Sequence, residues 1–159
     1  MKRREVIKAS FAVSVAGFAP LIHAHHGWSS FDQDRPIYLE GKVAKVLWQN
    51  PHVELEIDVP ATLRLPADLA QRALPAQTSP VDGKALLAKS VLPNRKDTRW
   101  EIELAPLTRL QAWKVAEIKP GASVSLVGFT FTGEKGGAVL RAEYLFVDGK
   151  VYGLRSSPA

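Results

Sequence analysis

The stretch RWEIELAPLTRLQAWKVAEIKPGASVSLVGFTF, residues 99–131, decides the fold. Its opening alternates, with Trp100, Ile102 and Leu104 on one parity against Arg99, Glu101 and Glu103, the period of a half-buried strand. Residues 107–118 then set Leu107, Leu110 and Ile118 at near-helical spacing, and Lys119-Pro120-Gly121 predicts the stop. Residues 122–132 return to strand periodicity. Val124 and Leu126 lie on one parity, and Val127, Phe129 and Phe131 on the other across Gly128, so this strand bends or carries a bulge.

Upstream, residues 53–59 alternate cleanly, with Val53, Leu55, Ile57 and Val59 facing in and Glu54, Glu56 and Asp58 facing out. Residues 37–48 switch parity between Gly41 and Lys45, the mark of a second bent strand. Downstream, Gly133 to Gly137 reads as a turn, residues 138–147 as a strand, and Asp148-Gly149 as a tight hairpin into residues 150–154. Three strands, a helix and two strands, with the first and fourth bent, is the order of an OB-type barrel. The expected fold is mainly β: a small five-stranded OB-like barrel with one helix between strands 3 and 4.

Residues 60–97 stand outside that plan, as a Pro-rich insertion between strands 2 and 3. They hold Pro60, Pro66, Pro75, Pro80 and Pro93 and two helix-like stretches at 67–74 and 84–91. Six basic residues against three acidic ones make the insertion basic. An insertion of this length is a candidate binding element or lid, the alternative being a solvated elaboration of one loop.

The first 24 residues read as an export signal: Lys2-Arg3-Arg4, an apolar run from Ala9 to Ile22, and a cleavage point after Ala24. Arg3-Arg4-Glu5-Val6-Ile7-Lys8 fits a twin-arginine pattern, with Lys2 and Val6 departing from it. The apolar run is too short to span a bilayer, and no later segment is apolar enough, so the expectation is a periplasmic, exported chain of one domain, residues 25–159, without a transmembrane segment. Without its first 24 residues the chain carries 17 basic and 15 acidic residues, a net of +2. That modest excess argues against nucleic acid as a partner. The absence of cysteine excludes disulfides, thiolate metal sites and cysteine nucleophiles.

Cleavage after Ala24 would leave His25 at the N-terminus, where the α-amino group and imidazole of one residue form a chelate for copper, with His26 beside it. His52, after Asn50-Pro51, is the remaining histidine. Imidazole is the natural ligand for copper, zinc or nickel in a cysteine-free site. Residues 25–36 span up to about 40 Å when extended and a ten-residue strand about 33 Å, so the N-terminal tail can fold back along strand 1 to His52. His25, His26 and His52 are therefore the candidate metal ligands. Asp32 or Asp34 could orient an imidazole. The competing reading is an exposed His25-His26 tail and a His52 held by backbone hydrogen bonds. Glu54, Glu56, Asp58, Glu101 and Glu103 form an acidic outer face, read as solvated and partly neutralised by Lys42 and Lys45. Trp28, Trp48, Trp100 and Trp113 are numerous for this size. Trp100 falls on a core parity, whereas Trp28 and Trp48 lie close in sequence to the histidines and could wall a pocket.

The motifs Ala24-His25-His26-Gly27-Trp28, Gly41-Lys42-Val43, Trp48-Gln49-Asn50-Pro51-His52-Val53, Trp100-Glu101-Ile102-Glu103-Leu104, Arg109-Leu110 and Lys119-Pro120-Gly121 resemble a bacterial family of small exported proteins. Its members begin the mature chain with a His-His pair and carry an Asn-Pro-His-Val turn. The family is classed only as a domain of unknown function, so the resemblance implies a small periplasmic β-rich domain and no activity. The insertion departs from it, since the family joins strands 2 and 3 more directly.

No nucleophile elbow, phosphate loop or dinucleotide glycine run is present, which leaves hydrolase, kinase and dehydrogenase readings without support. Two functions remain open. One is a non-catalytic periplasmic metal-binding protein, for copper, using the processed N-terminal histidine. The other is a periplasmic adaptor that docks an exported protein, a glycan or a lipid surface through the barrel face or the basic insertion.

Overall fold

A computed structural model describes residues 27–159. The expected export signal, its cleavage point, His25 and His26 lie outside the described residues. Six strands, β1 (Ile37–Leu47), β2 (Glu54–Asp58), β3 (Arg99–Glu103), β4 (Ser123–Phe129), β5 (Val139–Val147) and β6 (Lys150–Gly153), form one sheet in the order β3-β2-β1-β4-β5-β6. Parallel pairing of β3 with β5, Ile102 opposite Leu140, closes the first five strands into a barrel and leaves β6 outside the ring. The helix α2 (Leu107–Ala112) lies between β3 and β4, as the sequence order predicts for an OB-like barrel.

The barrel interior is apolar. Ile37 and Leu39 of β1, Leu55 and Ile57 of β2, Trp100 and Ile102 of β3, Leu126 of β4 and Leu140 and Leu145 of β5 are buried in one cluster with Leu110 of α2. The parity switch in β1 is a bulge: Val43 pairs with Ile57 and Lys45 with Glu56, leaving Ala44 as the extra residue. The irregularity opposite β4 falls on the partner strand. Val127 pairs with Tyr144 and Gly128 with Ala142, so Glu143 of β5 is the extra residue. Gly128 permits the close approach there, since a Cβ would lie 2.2 Å from the Arg141 carbonyl oxygen. Asp148 and Gly149, both at positive φ (51° and 72°), turn β5 into β6 as the hairpin signal predicts.

The helix ends earlier than its apolar spacing predicts. Lys114 adopts a left-handed φ of 54°, its N–H donates to the Gln111 carbonyl, and the Val115 N–H donates to the Leu110 carbonyl. This pair of bonds is a Schellman closure, which satisfies the last carbonyls of a short helix six residues before Pro120. Ile118 still reaches the core, carried there by irregular chain rather than by a fourth helical turn.

The insertion is neither structureless nor solvated throughout. Its helix α1 (Gly83–Lys89) is capped by the Asp82 side chain, which accepts from the Ala85 N–H at 3.0 Å. Leu69 and Leu87 of the insertion pack with Tyr38, Val127 and Tyr144 into a second core on the outer face of β1, β4 and β5. Residues 76–79 are joined to the C-terminal residues by Thr78 N–H to the Ser157 carbonyl, Ala159 N–H to the Ala76 carbonyl, and Ser156 N–H to Gln77 Oε1. Two of its six basic residues are paired within the insertion, Arg72 with Asp68 and Arg95 with Asp97.

Glu134, in the loop between β4 and β5, binds the far end of the insertion. Its carboxylate accepts the N–H groups of Asn94 and Arg95 and pairs with Arg35 of the N-terminal segment. Burial pushes its carboxyl up, but those backbone donors and the guanidinium outweigh it, and the net shift is below the ordinary carboxylate value.

Two outcomes are expected. Leu87→Ala should destabilise the protein by about 3 kcal/mol in urea unfolding, a core-sized loss, with one transition shared by barrel and insertion; a loss within about 0.5 kcal/mol would make α1 a surface appendage. Glu134→Gln should cost about 1–3 kcal/mol at neutral pH. Because the folded carboxyl titrates below its unfolded value, the wild-type advantage is full above that unfolded value. It should fade as pH falls through the lowered folded value, as followed by thermal melts of both proteins from pH 7 to 3.

Candidate functional site

The loop from β1 to β2 carries His52, the loop from β4 to β5 carries Phe131, and the segment before β1 carries Trp28 and Phe31. All three meet at one end of the barrel. The His52 loop is held from beneath: Asn50 Oδ1 accepts from the Leu107 N–H at the start of α2, and the Val53 N–H donates to the Ala105 carbonyl. The Asn50–Pro51 peptide bond is cis. Phe31 is buried and stacked on Phe131 with ring centroids 4.9 Å apart, and the Asp32 N–H donates to the Thr130 carbonyl. These contacts fix the N-terminal segment across the barrel end.

Trp28 is the centre of the arrangement. The guanidinium carbon of Arg155 lies 3.8 Å from its ring centroid and that of Arg141 4.6 Å, while Phe129 meets it edge-on. A tryptophan face is the best aromatic partner for a guanidinium. Each arginine has its own carboxylate: Arg141 Nη1 lies 3.1 Å from Glu103, and Arg155 Nη2 lies 2.7 Å from Glu143. Arg155 also donates to Gln33 Oε1. Arg141 Nη2 stands 3.4 Å from His52 Nε2.

Burial governs the charges here. It lowers Arg141 from the usual guanidinium range, with the neighbouring Arg109 and Arg155 adding to the effect and Glu103 opposing it. It raises Glu143, whose side chain is wholly buried, against the pull of Arg155 and of Gln77. Tyr38, beneath the insertion, is pushed up to about 12 by burial and by its hydrogen bond to Glu40.

Of the three candidate ligands, His52 lies within this cluster, and His25 and His26 lie outside the described residues. Among the described residues no group of three or more His, Cys, Asp or Glu is set to hold a metal ion. Asp32 Oδ1 accepts from the Asp34 N–H at 3.2 Å in a local turn. The acidic face is real along β2 and β3, with Glu54 opposite Glu103 and Glu56 opposite Glu101. Lys45, rather than Lys42, pairs with Glu56, and Arg99 answers Asp58. Glu103 leaves that solvated set altogether, being buried against Arg141. Neither this pair nor Arg155–Glu143 was singled out by sequence reasoning. The signal was available, since Arg141 and Glu143 interrupt an otherwise apolar run from residue 138 to 147.

A cavity among the described residues lies elsewhere. A groove of about 870 Å³ runs along the outer face of β1, β4 and β6, beside the insertion, where Arg72 covers the Phe146 ring at 5.1 Å. Lys42 and Lys150 line it, together with Glu40 and Asp148. Among the described residues, no helix is long and apolar enough to cross a membrane.

Comparison with known proteins finds a match, over residues 12–63, to the model of a family of unknown function (DUF6152). That span takes in His25 and His26, Trp28, all of β1, His52 and β2, and ends four residues into the insertion. No curated protein and no solved structure matches the chain.

Proposed function

We propose that this chain is a non-catalytic metal-binding protein of the periplasm that holds copper through the amine and imidazole of an N-terminal His25, with His26 and His52. The observation that carries the reading is the anchoring of Trp28. The N-terminal segment is fixed at the barrel end that carries His52, through Trp28 on Arg141 and Arg141 on His52. His26 is two residues before Trp28, and two peptide steps span at most about 7 Å. Nitrogen ligands without thiolate favour divalent copper by ligand type and by the stability order of divalent metals. The metal would be bound and handed on.

A second reading is favoured by one observation, the groove between the barrel face and the insertion, which is of ligand-binding size. In that reading the chain is a periplasmic adaptor, and the groove takes an exported protein or a glycan. Deleting residues 60–97 would not test it, because Tyr38, Val127 and Tyr144 would lose their cover.

The deciding measurement is a Cu(II) titration followed by EPR on the chain beginning at His25, beside a control with one extra residue ahead of it. One-to-one binding through nitrogen is expected, weakened by about 10-fold or more in the control and in His52→Ala. Equal binding in all three forms would remove the metal reading and leave the groove.

A further inference from the structure

We propose that the groove beside the insertion binds a saccharide chain without net charge. This site rests on the second reading above and narrows its ligand, from an exported protein or a glycan, to a neutral glycan. The floor of the groove follows from the strand register. On β1 the side chains of Tyr38, Glu40 and Lys42 share the outer face, and Tyr38 marks the limit of the cover, being packed with Leu69 and Leu87 of the insertion. Beyond it Glu40 stands opposite Ser125, Ser125 opposite Phe146 and Phe146 opposite Val151, one ladder across four strands. The next rung sets Lys42 between Asp58 and Ser123. A carboxylate, a hydroxyl, an aromatic ring and methyl groups therefore lie in line, with an ammonium and a second hydroxyl beside them.

Glu40 is set in place from within the fold. The Tyr38 hydroxyl donates to its Oε2 at 2.5 Å, and Tyr38 itself is wholly buried. A carboxylate held in this way is a preorganised acceptor. Charge then selects the ligand. Lys42, Arg72 and Lys150 line the groove against Glu40, Asp58 and Asp148, three of each sign. Arg72 is answered by Asp68 and Asp58 by Arg99, so an occupant meets two ammonium groups and two carboxylates. A ligand of either net charge gains from one pair what it loses to the other, and a hydrocarbon tail would cover charges it cannot pair. An added peptide strand needs a free main-chain edge, whereas β1 and β4 are each paired on both sides. A sugar hydroxyl both donates and accepts, which suits an acceptor at Glu40, a donor at Lys42 and two serines that can be either. Its C–H faces match Phe146 and Val151, and Val59 and Pro60 add an apolar wall. The volume of about 870 Å³ lies within the range of small-molecule sites.

The test is a titration of the protein with neutral hexasaccharides of glucose and of N-acetylglucosamine, α- and β-linked, and with polygalacturonate as an anionic chain. Binding is followed by ¹H–¹⁵N amide shifts and by calorimetry. At least one neutral chain should bind and shift the amides of Ser123, Ser125 and Val151. Its affinity should change by less than about 2-fold between about 0.05 and 0.5 M salt, because no net charge is screened. Ser123→Trp places a bulky ring in the groove from an exposed strand position, where an aromatic residue is well tolerated. It should weaken binding by about 10-fold or more, the loss of one or two hydrogen bonds. Ser125→Ala, which removes one hydroxyl and keeps the fold, should weaken it by about 2- to 10-fold and serves alone where Ser123→Trp fails to fold by near-UV circular dichroism. Binding by none of the neutral chains, shifts confined to residues outside the groove, or tighter binding of polygalacturonate that fades with salt would each overturn the neutral glycan. Such a failure leaves the adaptor reading with an exported protein as its ligand; that reading itself stands or falls on the copper titration.

Discussion

The structure turns on one requirement: the wall formed by β1, β4 and β5 is apolar on both sides and must be covered twice. Ile37 and Leu39 look into the barrel while Tyr38 between them looks out, and all three are fully buried. Leu126 and Val127 repeat the arrangement on β4, as do Leu145 and Tyr144 on β5. A closed barrel satisfies only the inner set. The outer set would leave a large apolar patch on a small protein, and patches of that kind do not persist in water without a cover. Residues 60–97 supply the cover, and their prolines suit a path that crosses the sheet in extended segments rather than adding strands to it.

At the other end of the barrel the arrangement is electrostatic. Two arginines and two carboxylates are withdrawn from water around one tryptophan, and such pairs rarely stabilise a fold more than apolar side chains of the same volume. What they provide is position. Arg155 and Arg141 hold Trp28 from their carboxylates on β3 and β5, so the chain entering β1 is fixed by rigid strands rather than by its own short turn. His52 is held as firmly, from the α2 side, through Asn50. Two segments distant in sequence are thereby kept in register without a disulfide, in a chain that has no cysteine.

Much of this was legible from residue order. The alternation of residues 53–59 and 99–104, the parity switch after Gly41 and the Asp148-Gly149 turn lead to the barrel because each is a local signal with a local cause. The length of α2 was not legible, since Lys114 in a left-handed conformation ends the helix where no glycine announces it. The bulge was assigned to the neighbourhood of Gly128, but the extra residue is Glu143 on the facing strand, and register between strands is not written in either one alone. The insertion was read by its prolines and charges as separate from the fold. Its role depends on Leu69 and Leu87 meeting residues dozens of positions away, which no local pattern reports. His52 was picked out by its chemistry, whereas Arg141 and Glu103 needed the β3–β5 closure to bring them together.

The strap between residues 76–79 and residues 156–159 also orders events in time. Its bonds join positions about eighty residues apart, whereas the β1–β2 hairpin and the β4–β5 pair close over much shorter loops. Closing long loops is slow, and local pairings form ahead of them. The β1–β4 pairing that completes the ring spans a similar separation, Ile37 opposite Gly128, so the hairpins form first and the ring and its outer cover close late together. Until then Tyr38, Val127 and Tyr144 lack the cover that Leu69 and Leu87 give them, and apolar surface left open in this way favours association with other chains.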